Sequence, residues 1–144
     1  MAGKDAMKRL PVFALLAALA LSAASAQETA TAWTIEGGRW QQGAAGGTYR
    51  IVVESVGFEH VSCRVGIAWM AAPTTGRPAA VLAEVVFAEL SNGFWACDAG
   101  PEGVQLDGDT LAVRARHTYS GEPRTFTARL GAPGAYRCVD CGTP

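Results

Sequence analysis

Val61 to Met70 reads VSCRVGIAWM, and its alternation decides the fold class. Cys63, Val65, Ile67 and Trp69 fall on one face of an extended chain, with Ser62, Arg64, Gly66 and Ala68 on the other. A strand with one apolar face buries that face against another layer. The same period of two recurs at Leu111, Val113, Ala115, His117 and Tyr119, opposed by Ala112, Arg114, Arg116 and Thr118. It recurs again at Phe126, Ala128 and Leu130, opposed by Thr125, Thr127 and Arg129. Beyond residue 26 no stretch sustains the 3.6-residue period of an amphipathic helix.

Working outward, strand-like runs cover Thr48 to Val56, Val61 to Met70, Ala80 to Leu90, Phe94 to Asp98, Thr110 to Tyr119, Arg124 to Leu130 and Ala135 to Asp140. Val81 to Leu90 is apolar on both faces apart from Glu84 and Glu89, which predicts a central strand. Asn92-Gly93 tolerates the positive φ angles of a tight hairpin turn. Asp107-Gly108-Asp109, Ser120-Gly121-Glu122-Pro123 and Gly131-Ala132-Pro133-Gly134 are further turn-forming clusters. Residues 27–47 are expected to form a short strand near Trp33 to Glu36 followed by a flexible Gly-rich link, and residues 48–144 a single β domain. Short strands joined by regular turns without helical crossovers predict an all-β protein, an antiparallel β-sandwich or small barrel.

The amino-terminal segment reads as an address. Met7-Lys8-Arg9 supplies positive charge, Leu10 to Leu21 an apolar core and Ala24-Ser25-Ala26 a small-residue cleavage site, so residues 1–26 are expected to be a signal peptide removed before Gln27. Translation is expected to begin at Met7, because the six residues before it add nothing to the signal. The apolar run is short of the roughly 20 residues a bilayer span needs, and the first cysteine after it is Cys63, so neither a span nor a lipid anchor is expected in the mature chain. A periplasmic or secreted protein follows. Removal of Lys4, Lys8, Arg9 and Asp5 takes 12 basic and 13 acidic residues to nine and twelve, a formal charge of −3 with every cation an arginine. That balance gives no drive toward phosphate backbones and argues against nucleic acid as a partner.

In its runs and turns the chain resembles an immunoglobulin-like sandwich of about seven strands, the runs taking the places of strands A, B, C, C′, E, F and G. Tyr136-x-Cys138 is similar to the Tyr-x-Cys of the tyrosine corner, and Trp69 to the core Trp, although the Tyr-x-Cys falls here on the last strand. Four cysteines in a short exported chain read as two disulfides, with three possible connectivities. In the immunoglobulin-like order Cys97 and the pair Cys138 and Cys141 occupy opposite edges of one sheet. This favours Cys63 with Cys97 and Cys138 with Cys141, the second pair requiring Val139-Asp140 to bend. The family's own inter-sheet bridge implies the alternative, Cys63 with Cys138 and Cys97 with Cys141.

Candidate chemistry is sparse. Cys138-Val139-Asp140-Cys141 has a redox spacing, but only Gly142-Thr143-Pro144 follows, and a reactive thiolate wants a helix N-terminus and no neighbouring acid. A zinc site would need Cys63, Cys97 or His60 to join that pair, and their spacing is unlike that of paired zinc ligands. His117 with Ser120 and Asp109 is the only material for a hydrolytic triad, and no nucleophile elbow frames it. There is no phosphate loop or dinucleotide fingerprint, and no cofactor or metal is expected. Arg114, Arg116 and Arg129 could line up as an outward stripe that holds an anion bidentately, or could pair with acids such as Glu84 and Glu89. Trp33 and Trp40 flank the Gly-rich segment as a possible exposed aromatic surface. The expectation is a non-catalytic binding, accessory or inhibitor-like protein whose partner is a protein or an anionic ligand of the cell envelope. The alternatives are a small secreted hydrolase using His117 and a thiol or metal protein using Cys138 and Cys141.

Overall fold

The computed structural model describes residues 32–57, 59–98 and 100–142; the expected signal peptide, residues 1–26, lies outside the described residues. Nine strands are found there and no helix: β1 (Ala32–Gln42), β2 (Ala45–Val56), β3 (Ser62–Ala71), β4 (Ala80–Val86), β5 (Trp95–Cys97), β6 (Val104–Asp107), β7 (Thr110–His117), β8 (Pro123–Leu130) and β9 (Tyr136–Asp140). They form two antiparallel sheets, β1-β2-β3-β4 and β5-β7-β8-β9, and β6 also pairs with β7. No helix among the described residues is long and apolar enough to cross a membrane.

The alternation in VSCRVGIAWM becomes one wall of the core. Cys63, Val65, Ile67 and Trp69 are all 3% exposed or less. They meet Leu111, Val113, Ala115, Phe126, Ala128 and Leu130 from the second sheet in a single cluster. Each large side chain fully buried there contributes roughly 1.5–3 kcal/mol. The Trp69 indole N–H donates to the Gly131 carbonyl at 3.0 Å, so the one polar atom of the largest fully buried side chain is satisfied. Tyr119 departs from the pattern: it lies past the end of β7, 68% exposed.

The connectivity is two successive meanders, the first four strands in one sheet and the last five in the other. An immunoglobulin-like order would distribute early and late strands over both sheets through Greek-key connections, so the expected strand order is not observed. Tyr136 differs in the same way. A tyrosine-corner hydroxyl bonds backbone a few residues upstream. The Tyr136 hydroxyl instead accepts from the Ala88 N–H at 2.9 Å and lies 2.8 Å from Glu89 Oε2, to which it donates.

Three segments depart from the sequence reading for identifiable reasons. The Gly-rich link is strand: β1 and β2 pair almost to their tips around a Gly43-Ala44 turn. Glycine is required at position 47 because a Cβ there would run into the Met70 carbonyl, the atom to which the buried Trp40 indole donates. Val81 to Leu90 is no central strand. β4 ends at Val86 on a sheet edge with Val81 and Leu82 half exposed, and the chain then turns so that Phe87 and Leu90 become fully buried. That turn is fastened to β3, with Val65 N–H donating to Ser91 Oγ and Phe87 N–H to the Val65 carbonyl, both at 2.9 Å. Asn92-Gly93 therefore carries the chain from one sheet to the other and closes no hairpin.

β5 and β6 share one edge of β7, Trp95–Cys97 opposite His117 to Ala115 and Val104–Asp107 opposite Val113 to Thr110. Between them the chain detours through Gly100-Pro101, and it rejoins where the Arg114 N–H donates to the Gly103 carbonyl at 2.7 Å. Cys63 on β3 is bonded to Cys97 on β5, with Cα atoms 5.5 Å apart, so this disulfide ties the two sheets together. Cys138 on β9 is bonded to Cys141, Cα atoms 6.0 Å apart. β9 accommodates this through a register shift: Thr127 faces Asp140 and Ala128 faces Cys138, which leaves Val139 bulged and 59% exposed.

Candidate functional site

The arginines singled out by alternation do not assemble into a stripe. Arg114 and Arg116 share one carboxylate, Asp98, at 3.4 and 3.8 Å. Arg129 faces Asp109 at 4.0 Å. In the register, Arg129 lies opposite Thr110 and Thr125 opposite Arg114, an offset of four residues or roughly 13 Å along the strand. The acids that answer these arginines are Asp98 and Asp109, and neither Glu84 nor Glu89 takes part.

The tryptophans are corrected similarly. Trp40 is 5% exposed with its indole N–H bonded to the Met70 carbonyl at 3.0 Å, and Trp33 is half-buried against the core. Neither is an exposed platform. All four cysteines are in disulfides, so the terminal pair presents no thiolate for redox or metal chemistry in this state.

His117 ends β7, half-buried among aromatic rings. The Ser120 N–H donates to its Nδ1 at 3.2 Å, so Nδ1 holds a lone pair and the neutral ring carries its proton on Nε2. The Ser120 hydroxyl lies 3.4 Å from Glu122 Oε2 and not on the imidazole. Asp109 precedes the opposite end of β7, a strand length of eight residues away. Ser120, His117 and Asp109 therefore form no relay; His117 fastens the β7–β8 turn.

What His117 does help build is a cleft of about 440 Å³ between the β4–β5 connection, the start of β8 and the terminal disulfide. Its apolar walls are Phe94, Trp95 and Phe126. Trp95 meets Phe126 edge to face at 4.9 Å and His117 at 5.1 Å, and Phe94 lies parallel to His117 at 6.2 Å. Phe94 is 51% exposed, an uncommon position for a ring with burial so close at hand. Tyr119 and then His60 continue the aromatic surface beyond it.

Arg124 brings charge to this apolar site. Its guanidinium carbon lies 5.3 Å from the Trp95 ring centre and 6.0 Å from that of Phe126, a cation–π arrangement worth about 0.5–1 kcal/mol at an exposed position. Gly142, with φ +68°, backs the guanidinium so closely that any Cβ there would strike it. On the other rim Glu89 is held by the Tyr136 hydroxyl. Burial pushes the Tyr136 phenol above its ordinary pKa; the Ala88 N–H pulls it back, while the hydrogen bond and charge of Glu89 raise it. Asn92 also lines the cleft, but its side chain is engaged in its own turn, donating to the Glu89 carbonyl and accepting from the Phe94 N–H, both at 3.1 Å.

Arg124 and Phe94 were not among the residues that alternation selected, yet a signal existed for one of them. Arg124 has the parity of Phe126, Ala128 and Leu130, so it is a cation on the core-facing side of β8, placed where that strand begins. Comparison with protein-family models, curated proteins and solved structures finds no match for this chain.

Proposed function

We propose that this chain is an exported, disulfide-stabilised β-sandwich protein that acts by binding, an accessory or inhibitor-like component of the cell envelope, with the aromatic cleft as its contact site. The observation that carries the reading is the cleft itself: half-exposed Phe94, just before β5, beside Trp95, His117 and Arg124 on β5, β7 and β8. Aromatic and arginine side chains are the types that dominate contact surfaces. The role of His117 supports binding over hydrolysis, since its Nδ1 is occupied by a backbone N–H and, among the described residues, no hydroxyl or thiol is hydrogen-bonded to the ring. Two disulfides and a core shared between the sheets support an oxidising compartment and a sandwich.

The test is affinity capture from an envelope extract with the disulfide-bonded chain and with Phe94→Asp as baits. Each captured component is then purified and titrated against both by calorimetry. The expected result is a component that binds the unaltered chain with defined stoichiometry and at least about tenfold more weakly to Phe94→Asp, the size of effect that loss of one aromatic anchor produces. Equal affinity for the two, with Phe94→Asp retaining its fold, would remove the cleft as the contact site. A hydrolytic activity abolished by His117→Ala in a folded chain would replace binding by catalysis.

A further inference from the structure

The cleft is specific in its charges as well as its rings. Arg50, Arg114, Arg116 and Arg129 each face a carboxylate; Arg124, like Arg39, Arg64, Arg77 and Arg137, has none within ion-pair distance among the described residues, and of these it is the one that lines the cleft. Its guanidinium carbon lies 5.3 Å from the Trp95 ring centre and is backed by Gly142. A cation–π contact occupies none of the guanidinium N–H donors, the planar fork that matches a carboxylate. A second donor is at hand: with Nδ1 accepting from Ser120, the proton of neutral His117 is on Nε2, for which no acceptor is found among the described residues. The walls between these donors are aromatic. Glu89, fixed on the opposite rim by Tyr136, sets a limit on the charge of a ligand. One cation facing one nearby anion suits a monoanion and disfavours a dianion.

We infer that the cleft takes a flat aromatic monocarboxylate, its ring against Phe94 and Trp95 and its carboxylate on the Arg124 guanidinium. This rests on the cleft being the contact site, as proposed above. The volume of about 440 Å³ lies within the range of small-molecule sites, so a one- or two-ring acid is accommodated.

The experiment is calorimetric titration of the disulfide-bonded chain with 2-naphthoate and with its neutral isostere 2-naphthamide, repeated on Arg124→Gln, Arg124→Lys and Phe94→Asp. The unaltered chain is expected to bind the acid about tenfold more tightly than the amide, a charge-assisted hydrogen bond's worth of preference. Arg124→Gln erases the preference, and Arg124→Lys, which keeps the charge but lacks the planar fork, restores only part of it. Phe94→Asp weakens both probes. Equal binding of acid and amide by the unaltered chain, or a preference that survives Arg124→Gln, overturns the carboxylate class. If Phe94→Asp still weakens both probes in that case, the cleft stands as the contact site and only the ligand class falls. Binding of both probes that ignores Phe94→Asp removes the cleft as well, and saturable binding of neither probe overturns the aromatic acid.

Discussion

Removing the Cys63–Cys97 disulfide as Cys63→Ala with Cys97→Ala is expected to destabilise the protein by about 4 kcal/mol, the chain-entropy value for closing a loop of this length. The bridge spans 34 residues of sequence and is, besides the peptide chain itself, the only covalent link between the sheets among the described residues. Cys63 is 3% exposed within the core cluster, so loss of packing at the vacated sulfurs adds to the entropic cost. The Cys138–Cys141 bridge separates its ends by three residues and lies at the edge of the second sheet, so the same relation gives about 2 kcal/mol for its removal. The assay is urea unfolding followed by circular dichroism and Trp fluorescence for the unaltered chain and each double variant. ΔG is compared with the slopes, because a disulfide that constrains the unfolded chain also changes the surface it exposes. A loss below about 1 kcal/mol for the inter-sheet pair, or one no larger than that of the terminal pair, would refute the view that the bridge acts by loop closure across the core.

Two further outcomes follow from the tyrosines. Tyr136→Phe leaves the Ala88 N–H without its acceptor and Glu89 without its donor, with an expected cost of about 1–2 kcal/mol in the urea midpoint and a weakened grip on the cleft rim. Stability is also expected to fall in alkali. Burial raises the Tyr49 phenol above its ordinary value, with the Asp109 charge adding to it, and burial raises Tyr136 likewise. Folding therefore favours the protonated phenols. Their contribution is complete below the unfolded value of about 10 and is lost as pH rises past it through the higher folded values. Urea midpoints that stay constant or rise from pH 9 to pH 11 would contradict this, and Tyr136→Phe should show a shallower fall than the unaltered chain.

What was legible in the sequence was the strands with one wet face. β3, β7 and β8 alternate because one side meets the core and the other meets water, and their registers follow that alternation. Of β1 only the start was legible, as a strand near Trp33 to Glu36, and β6 was not legible. Glycines in β1 carry no side chain to display a face, and β6 is four residues between turn clusters. The apolar run from Val81 to Leu90 was misleading because it supplies two different things, an edge strand and then a buried turn whose Phe87 and Leu90 close the core. The two-sheet architecture is a matter of local pattern, but which strands share a sheet depends on connections that no local period encodes. The cleft is further still from the sequence. Phe94, Arg124 and Gly142 come from three segments, and Trp95 and Arg124 meet only because β5 and β8 flank β7. Arg114, Arg116 and Arg129 attracted notice by parity alone, whereas the acids that neutralise them, Asp98 and Asp109, lie just beyond strand ends.

The divided edge formed by β5 and β6 bears on how the protein behaves when concentrated. An uninterrupted edge strand offers a row of free N–H and C=O groups on which a second molecule can polymerise. Here that edge is cut into pieces of three and four residues by the detour through Gly100-Pro101, and the shorter piece is held to the other sheet by Cys97. Neither piece is long enough to template a foreign strand, and proline has no N–H to lend in the gap. The same break that hides β6 from sequence pattern thus guards this side of the molecule against edge-to-edge fibre growth.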